Sequence, residues 1–184
     1  MNGTIVGLIT QMAQWVIPMM FKVFVRWWRD WLRRNISKSI VATDFKMDVA
    51  MGTDPPMLRL TFDVHNGSSA HIQFIRASIH VYCGGVYIGS VAGKLTETPL
   101  IKVSQPKPKH GQTANWSVNM VPDLYAWTYL PDGGYDLVQS AIWISTVWGE
   151  IQISLNPSKI NNEVKTQKDR INQFRKGAMQ RLVQ

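Results

Sequence analysis

The sequence predicts a mainly β protein, an antiparallel β-sandwich between an N-terminal membrane helix and a C-terminal amphipathic helix. Three observations predict it. No charged side chain occurs from Gly3 to Phe21, nineteen residues; as a helix they span roughly 28 Å, close to the hydrocarbon thickness of a bilayer. From Ile40 the apolar period changes from 3.6 to 2, and turn residues recur between short alternating segments up to Leu155. Beyond Pro157 helical spacing returns with a basic bias. The chain therefore divides into a helix over 1–34, a linker over 35–39, a sandwich over 40–157 and a second helix over 158–184.

The opening helix carries one polar stripe. Thr4, Gly7, Gln11, Gln14, Pro18, Lys22, Arg26, Arg29 and Arg33 follow one another at steps of three or four. Ile5, Leu8, Ile9, Met12, Val16, Met19, Phe21, Val23 and Phe24 fill the wider sector. The stripe is uncharged up to Pro18 and basic from Lys22 onward. Trp15, Trp27, Trp28 and Trp31 lie in or beside the basic half. With Lys22, Arg26, Arg29, Arg33 and Arg34 they are the residues expected where a helix meets lipid headgroups. Thr4, Gly7, Gln11 and Gln14 are expected to face another helix, from a second copy or a different membrane protein, because polar groups are costly against lipid. Two placements stay open. A single-pass helix leaves the sandwich on the cytoplasmic side by the positive-inside rule; a monotopic helix lies in one leaflet with its stripe to water. A cleaved signal peptide is disfavoured, since no Lys or Arg opens the segment and no small-residue cleavage site precedes Lys22. Pro18 is a candidate kink.

Asn35 to Ser39 is short and polar and reads as the linker. Val41–Val49 is the first strand. Met57–His65 alternates, with Leu58, Leu60, Phe62 and Val64 on one face and Arg59, Thr61, Asp63 and His65 on the other. A turn at Asn66–Ser69 leads into a strand over Ile72–Cys83, a Gly84-Gly85 hairpin and a return strand Val86–Ala92. Leu100–Val103 is a candidate edge strand, and Pro106–Lys109 is a loop. Thr113–Val121 is a strand with Trp116 and Val118 inward. Pro122–Asp136 is an aromatic connection, Leu137–Val147 begins helical or extended, and Ile151–Leu155 is the last strand. From Lys159 to Gln184 the apolar residues Ile160, Val164, Ile171, Phe174, Ala178 and Leu182 fall near one face of a basic helix, which can rest on lipid, on a partner or on its own sandwich.

The formal charge of +8 is uneven. Residues 1–40 carry six Lys/Arg and one Asp, residues 156–184 seven Lys/Arg and two acids, and the middle is slightly acidic. A nucleic-acid-binding domain concentrates positive charge on its fold. Basic ends around an acidic fold suit an anionic membrane surface instead. The single Cys83 excludes an internal disulfide and, in an apolar strand, reads as a buried inert thiol.

Residues 57–95 (MLRLTFDVHNGSSAHIQFIRASIHVYCGGVYIGSVAGKL) resemble the opening of the late-embryogenesis-abundant type 2 domain, also called the water-stress and hypersensitive-response domain. The shared parts are an alternating strand, an Asn-containing turn, a second strand ending in a small-residue-Gly turn, and a strand leading to Gly93. Thr113–Val121 and the Gly149-centred Val147–Leu155 hairpin fit the closing half. The family's turn usually reads Asn-Pro-Asn, where this chain has Asn66-Gly67-Ser68. The resemblance covers roughly residues 40–155 and implies a seven-stranded immunoglobulin/fibronectin-like sandwich, often tethered behind a membrane helix, without known catalytic residues. It also implies lipid binding or a membrane-contact role for some members.

No catalytic constellation is present in the sequence. His65 and His71 flank one turn, but further ligands at metal spacing are lacking. Neither Asp44 and Asp48 nor Asp132 and Asp136 differ in surroundings as an acid–base pair must. No metal, cofactor or nucleic acid is expected. Tyr125, Trp127 and Tyr129 form the most suggestive patch on the fold, readable as a partner- or lipid-facing surface or as core filling. The expected function is a membrane-anchored, non-catalytic structural or accessory subunit that meets anionic lipid and either a membrane protein partner or its own copies. The alternative is a lipid-binding or lipid-transfer module holding an acyl chain between its sheets.

Overall fold

The computed structural model describes residues 2–50, 56–94, 106–122, 126–128 and 130–183, with side chains in the two helices from Trp15 and up to Gly177, and Gln180. The expected edge strand Leu100–Val103 lies outside the described residues. Helix α1 runs Asn2–Lys38, followed by strands β1 (Ile40–Ala50), β2 (Met57–Asn66), β3 (Gln73–Cys83), β4 (Val86–Lys94), β5 (Gln112–Met120), β6 (Tyr135–Leu137), β7 (Ser140–Thr146), β8 (Gly149–Leu155) and β9 (Asn161–Asn162), and by helix α2 (Lys168–Val183). One sheet has the order β5-β2-β1-β9 and the other β4-β3-β7-β8, with β6 on the end of β3. Every pairing is antiparallel except that of β1 with β9.

The inner faces of both sheets share one core. In β2 the expected alternation holds: Leu58, Leu60, Phe62 and Val64 are fully buried. Trp116 and Val118 of β5 point inward as expected. The Trp116 ring meets Phe74 of the opposite sheet edge-on, with centroids 5.3 Å apart, and its Nε1 donates to the Pro106 carbonyl at 2.7 Å. A buried indole thus keeps a hydrogen-bond partner. Register shifts change the phase of burial in β1 and β3. In β1 the register shifts between Thr43 and Lys46, with Asp44 at φ 51°, and Phe45 swings inward to stack on Phe62 at 5.4 Å. In β3 the shift lies between Phe74 and Arg76, after which Ala77, Ile79, Val81 and Cys83 are buried. An extra residue moves all later side chains to the other face.

Two boundaries differ from expectation. Residues 35–38 are not a linker: α1 continues through them to Lys38. Ile36 is the reason, since it is 6% exposed and belongs to the core, while Asn35 and Lys38 stay at the surface. The helix ends at Ser39, whose amide and hydroxyl both donate to the Asn35 carbonyl. α1 therefore passes into β1 through a single residue, Ser39. Residues 158–167 are not α-helical either. Asn161–Asn162 pair in parallel with Lys46–Met47, and a 3₁₀ turn over Val164–Gln167 precedes α2. The Glu163 amide donates to the Met47 carbonyl, the Val49 amide to Gln167 Oε1, and Asn162 Nδ2 to the Gly133 carbonyl. These bonds hold the segment to the edge of β1 and outweigh its helical spacing. Leu137–Val147 is extended over Ser140–Thr146, after a break at Gln139 with φ 49°.

The two helices begin from opposite ends of the sandwich. Gln73 pairs with Ser145 and Cys83 with Tyr135, so the β7–β8 turn and the Gly84-Gly85 turn lie at opposite ends of their sheet. α1 joins at the β7–β8 end, where the Arg33 Nε donates to the Trp148 carbonyl at 2.8 Å. α2 starts near Gly133–Gly134, at the Gly84 end, where the Gly84 amide donates to Gly134.

Candidate membrane interface

The residues of α1 from Trp15 to Trp31 stand clear of the sandwich. Trp15 is 81% exposed, and Ile17, Met19, Met20, Phe21, Val23, Phe24, Trp27, Trp28 and Trp31 are exposed with it. Phe24 stacks on Trp28 with centroids 6.2 Å apart, and Trp28 on Trp31 at 5.1 Å, giving a continuous aromatic run along the helix. Pro18 sits inside α1 without interrupting it. Lys22, Arg26, Arg29 and Arg34 are exposed. Thr4, Gly7, Gln11 and Gln14 lie outside the described side chains. Among the described residues, no helix is long and apolar enough to cross a membrane.

Arg33 departs from its expected role. It does not continue the free basic stripe; it is half-buried against the β7–β8 turn, with Nε bonded to Trp148 O and Nη1 4.0 Å from Asp30 Oδ1. Its partner lies 115 residues away, beyond the reach of helical periodicity. Gly149 makes room for it. A Cβ there would collide with the Arg33 guanidinium, and the backbone φ of +107° already disfavours an L side chain. Gly149→Ala should therefore destabilise the full chain by about 1–2 kcal/mol from the backbone alone, with further loss as Arg33 is displaced. Denaturant titration in detergent checks this, and an unchanged midpoint would remove Arg33 and Gly149 as the joint between helix and sandwich.

The aromatic patch is corrected in part. Trp127 is 2% exposed and packs edge-on against Phe174 of α2 at 5.6 Å, so it is core and not a surface tip. Tyr125 and Tyr129 lie outside the described residues. Trp127 and the fully buried Ile171 seat the first turns of α2 on its own sandwich. Several other titratable groups have structural partners. Burial pushes the Cys83 thiol above its usual range, so it stays protonated and unreactive. Burial also raises the Tyr135 phenol, whose hydroxyl donates to the Leu130 carbonyl. Asp48 is bridged by Arg59, with Nε donating to Oδ1 at 2.8 Å, and Asp132 by Lys168 at 3.0 Å. His65 contacts the Thr113 hydroxyl and His110 the Ser68 carbonyl. Among the described residues no group of His, Cys, Asp or Glu side chains is gathered for a metal ion.

No family model and no curated protein matches the chain. Among solved structures, the X-ray structure of a Northeast Structural Genomics Consortium target is similar at 12% identity and a TM-score of 0.47, over 70% of this chain and 90% of that one. The putative ApaA protein from Bordetella pertussis is similar at 16% identity and a TM-score of 0.40, over 62% of this chain and 88% of its own.

Proposed function

We propose that this chain is a membrane-anchored, non-catalytic β-sandwich acting as a structural or accessory subunit of a membrane-associated assembly. One observation carries the reading: the apolar and aromatic face of α1 from Trp15 to Trp31 is uncovered by the rest of the fold. A contiguous apolar patch this long marks an interaction surface, and its tryptophans and arginines suit the boundary of an anionic bilayer. Thr4, Gly7, Gln11 and Gln14 are then left for a helix of a second copy or another membrane protein. The basic turn following the apolar segment favours a cytoplasmic sandwich.

An immunoglobulin/fibronectin-like sandwich of the late-embryogenesis-abundant type 2 kind is supported by the strand order. β1, β2 and β5 correspond to strands A, B and E, facing β4, β3, β7 and β8 as C′, C, F and G. The lipid-carrier alternative lacks support, because Phe62, Phe74, Trp116, Leu58 and Ile79 fill the space between the sheets where an acyl chain would lie. Native mass analysis of the detergent-extracted full chain tests the subunit reading. A stoichiometric protein partner or defined oligomer, with retained anionic lipid, is the expected result. A lone monomer without lipid would sink the proposal.

A further inference from the structure

We infer that the Val147–Trp148 turn is a second lipid contact, which reaches the headgroup layer beside α1 and holds the sandwich upright beneath it; this rests on α1 being a membrane helix. A tight turn between antiparallel strands ordinarily carries Asn, Asp or Gly. Here Thr146 pairs with Gly149, and the two residues beyond them are Val147, 79% exposed, and Trp148, 41% exposed. The fold does not need apolar side chains there. Gly149 supplies the unusual backbone angle, and the Thr146 hydroxyl accepts from the Trp148 amide at 3.1 Å and donates to the Gly149 carbonyl at 2.9 Å.

The height of the turn along α1 follows from Arg33. Helical side chains lean toward the helix N-terminus, and the Arg33 guanidinium accordingly lies within 4.0 Å of Asp30, about a turn above its own backbone. Its bond to Trp148 O sets the turn beside Asp30 and Trp31, level with the lower end of the aromatic run Phe24, Trp28 and Trp31. Arg29 and Arg34 are exposed within about a turn of that level. The occupant is a bilayer surface and not a protein. Two residues are far too few for a stable protein interface, which buries about 1,200 Å² or more. They do stand at the height where the tryptophans and cations of α1 meet, as a wedge at the lipid boundary does.

The side of α1 on which the turn stands selects between the two placements of the helix. Arg33 belongs to the polar stripe, so the turn stands on the stripe side of the helix. A helix lying flat with that stripe to water would hold Val147 and Trp148 in water; only a steeply entering helix brings them to the headgroups.

The test attaches an environment-sensitive nitrobenzoxadiazole label to Val147→Cys in the full chain, reconstituted into phosphatidylcholine vesicles containing phosphatidylglycerol. Asn156→Cys, exposed at the opposite end of the sandwich, is the control, and the native Cys83 is buried and protonated. The label at 147 should shift to the blue and be quenched by spin-labelled lipid, while the label at 156 does neither. A water-like signal at 147 in protein that floats with the vesicles overturns the second contact and leaves α1 as the anchor. A blue shift without quenching by lipid marks burial against a second copy and also overturns it. Failure of the chain to float with vesicles removes the membrane reading itself, and this inference with it.

Discussion

Replacing Phe21, Phe24 and Trp27 together by serine should release the full-length chain from membranes into the supernatant. The three side chains are 66%, 55% and 58% exposed and belong to no part of the core. Each large apolar side chain moved out of water is worth about 1.5–3 kcal/mol. Three of them contribute roughly 5–9 kcal/mol, a fall in partitioning of about a thousandfold or more. The same substitutions should leave the sandwich intact, since they touch neither Ile36 nor the Arg33 joint. Arg26→Ala and Arg29→Ala should act far more gently, at about 1 kcal/mol each toward an anionic surface, and their effect should vanish on neutral vesicles or in high salt. Flotation of wild type and variants on the two vesicle types separates the terms. A triple variant that floats like the wild type would show that α1 does not hold the protein to lipid.

The parts of this fold that could be read from the chain are those set by local pattern. β2 exposes its two faces in strict alternation, Gly84-Gly85 marks the β3–β4 hairpin, and the uncharged run before Lys22 declares an apolar helix. What escaped depends on partners distant in sequence. The bulges at Asp44 and Ile75 invert the apolar phase within a strand and leave only a broken alternation behind. Ile36 looks like one apolar residue in a polar linker until the core it enters is known. Trp127 sits in an aromatic run without a period, so nothing local says whether it faces water or Phe174. Arg33 fits the basic stripe, and only the three-dimensional approach of Trp148 and Gly149 takes it out of that role. Gly67 ties the β2–β3 turn to the end of α1. Its amide donates to the Ser39 carbonyl at 2.8 Å, and a proline, lacking that hydrogen, could not tie the turn to the end of α1.

The second large effect is expected one residue earlier, at Asn66. Its side chain is fully buried and saturated: Nδ2 donates to the Ala70 carbonyl at 2.7 Å and to the Pro108 carbonyl at 3.0 Å, while Oδ1 accepts from the Ser68 amide at 3.0 Å and the Ser68 hydroxyl at 2.7 Å. One amide thus joins the β2–β3 turn to the loop before β5, next to the α1 junction. Asn66→Ala removes both donors and the acceptor and strands several buried polar groups, each costing about 1–3 kcal/mol, so a loss of roughly 3 kcal/mol or more is expected. Asn66→Asp should be worse at neutral pH, because a carboxylate would face two carbonyl oxygens. Burial and those carbonyls raise the pKa of such an acid in the folded state, so the folded form binds the proton more tightly than the unfolded one. Stability of the Asp variant should therefore increase as the pH falls toward the unfolded value of about 3.9, where a protonated oxygen can again donate to one carbonyl. The wild type should not share this dependence at the site. Denaturant midpoints of the three proteins against pH measure it, and an Asn66→Ala variant within about 0.5 kcal/mol of wild type would mean that the turn is held by its backbone alone. The same saturation bars Asn66 from accepting a glycan in the folded chain although Asn66-Gly67-Ser68 has the acceptor pattern, since both amide hydrogens are already committed inside the fold.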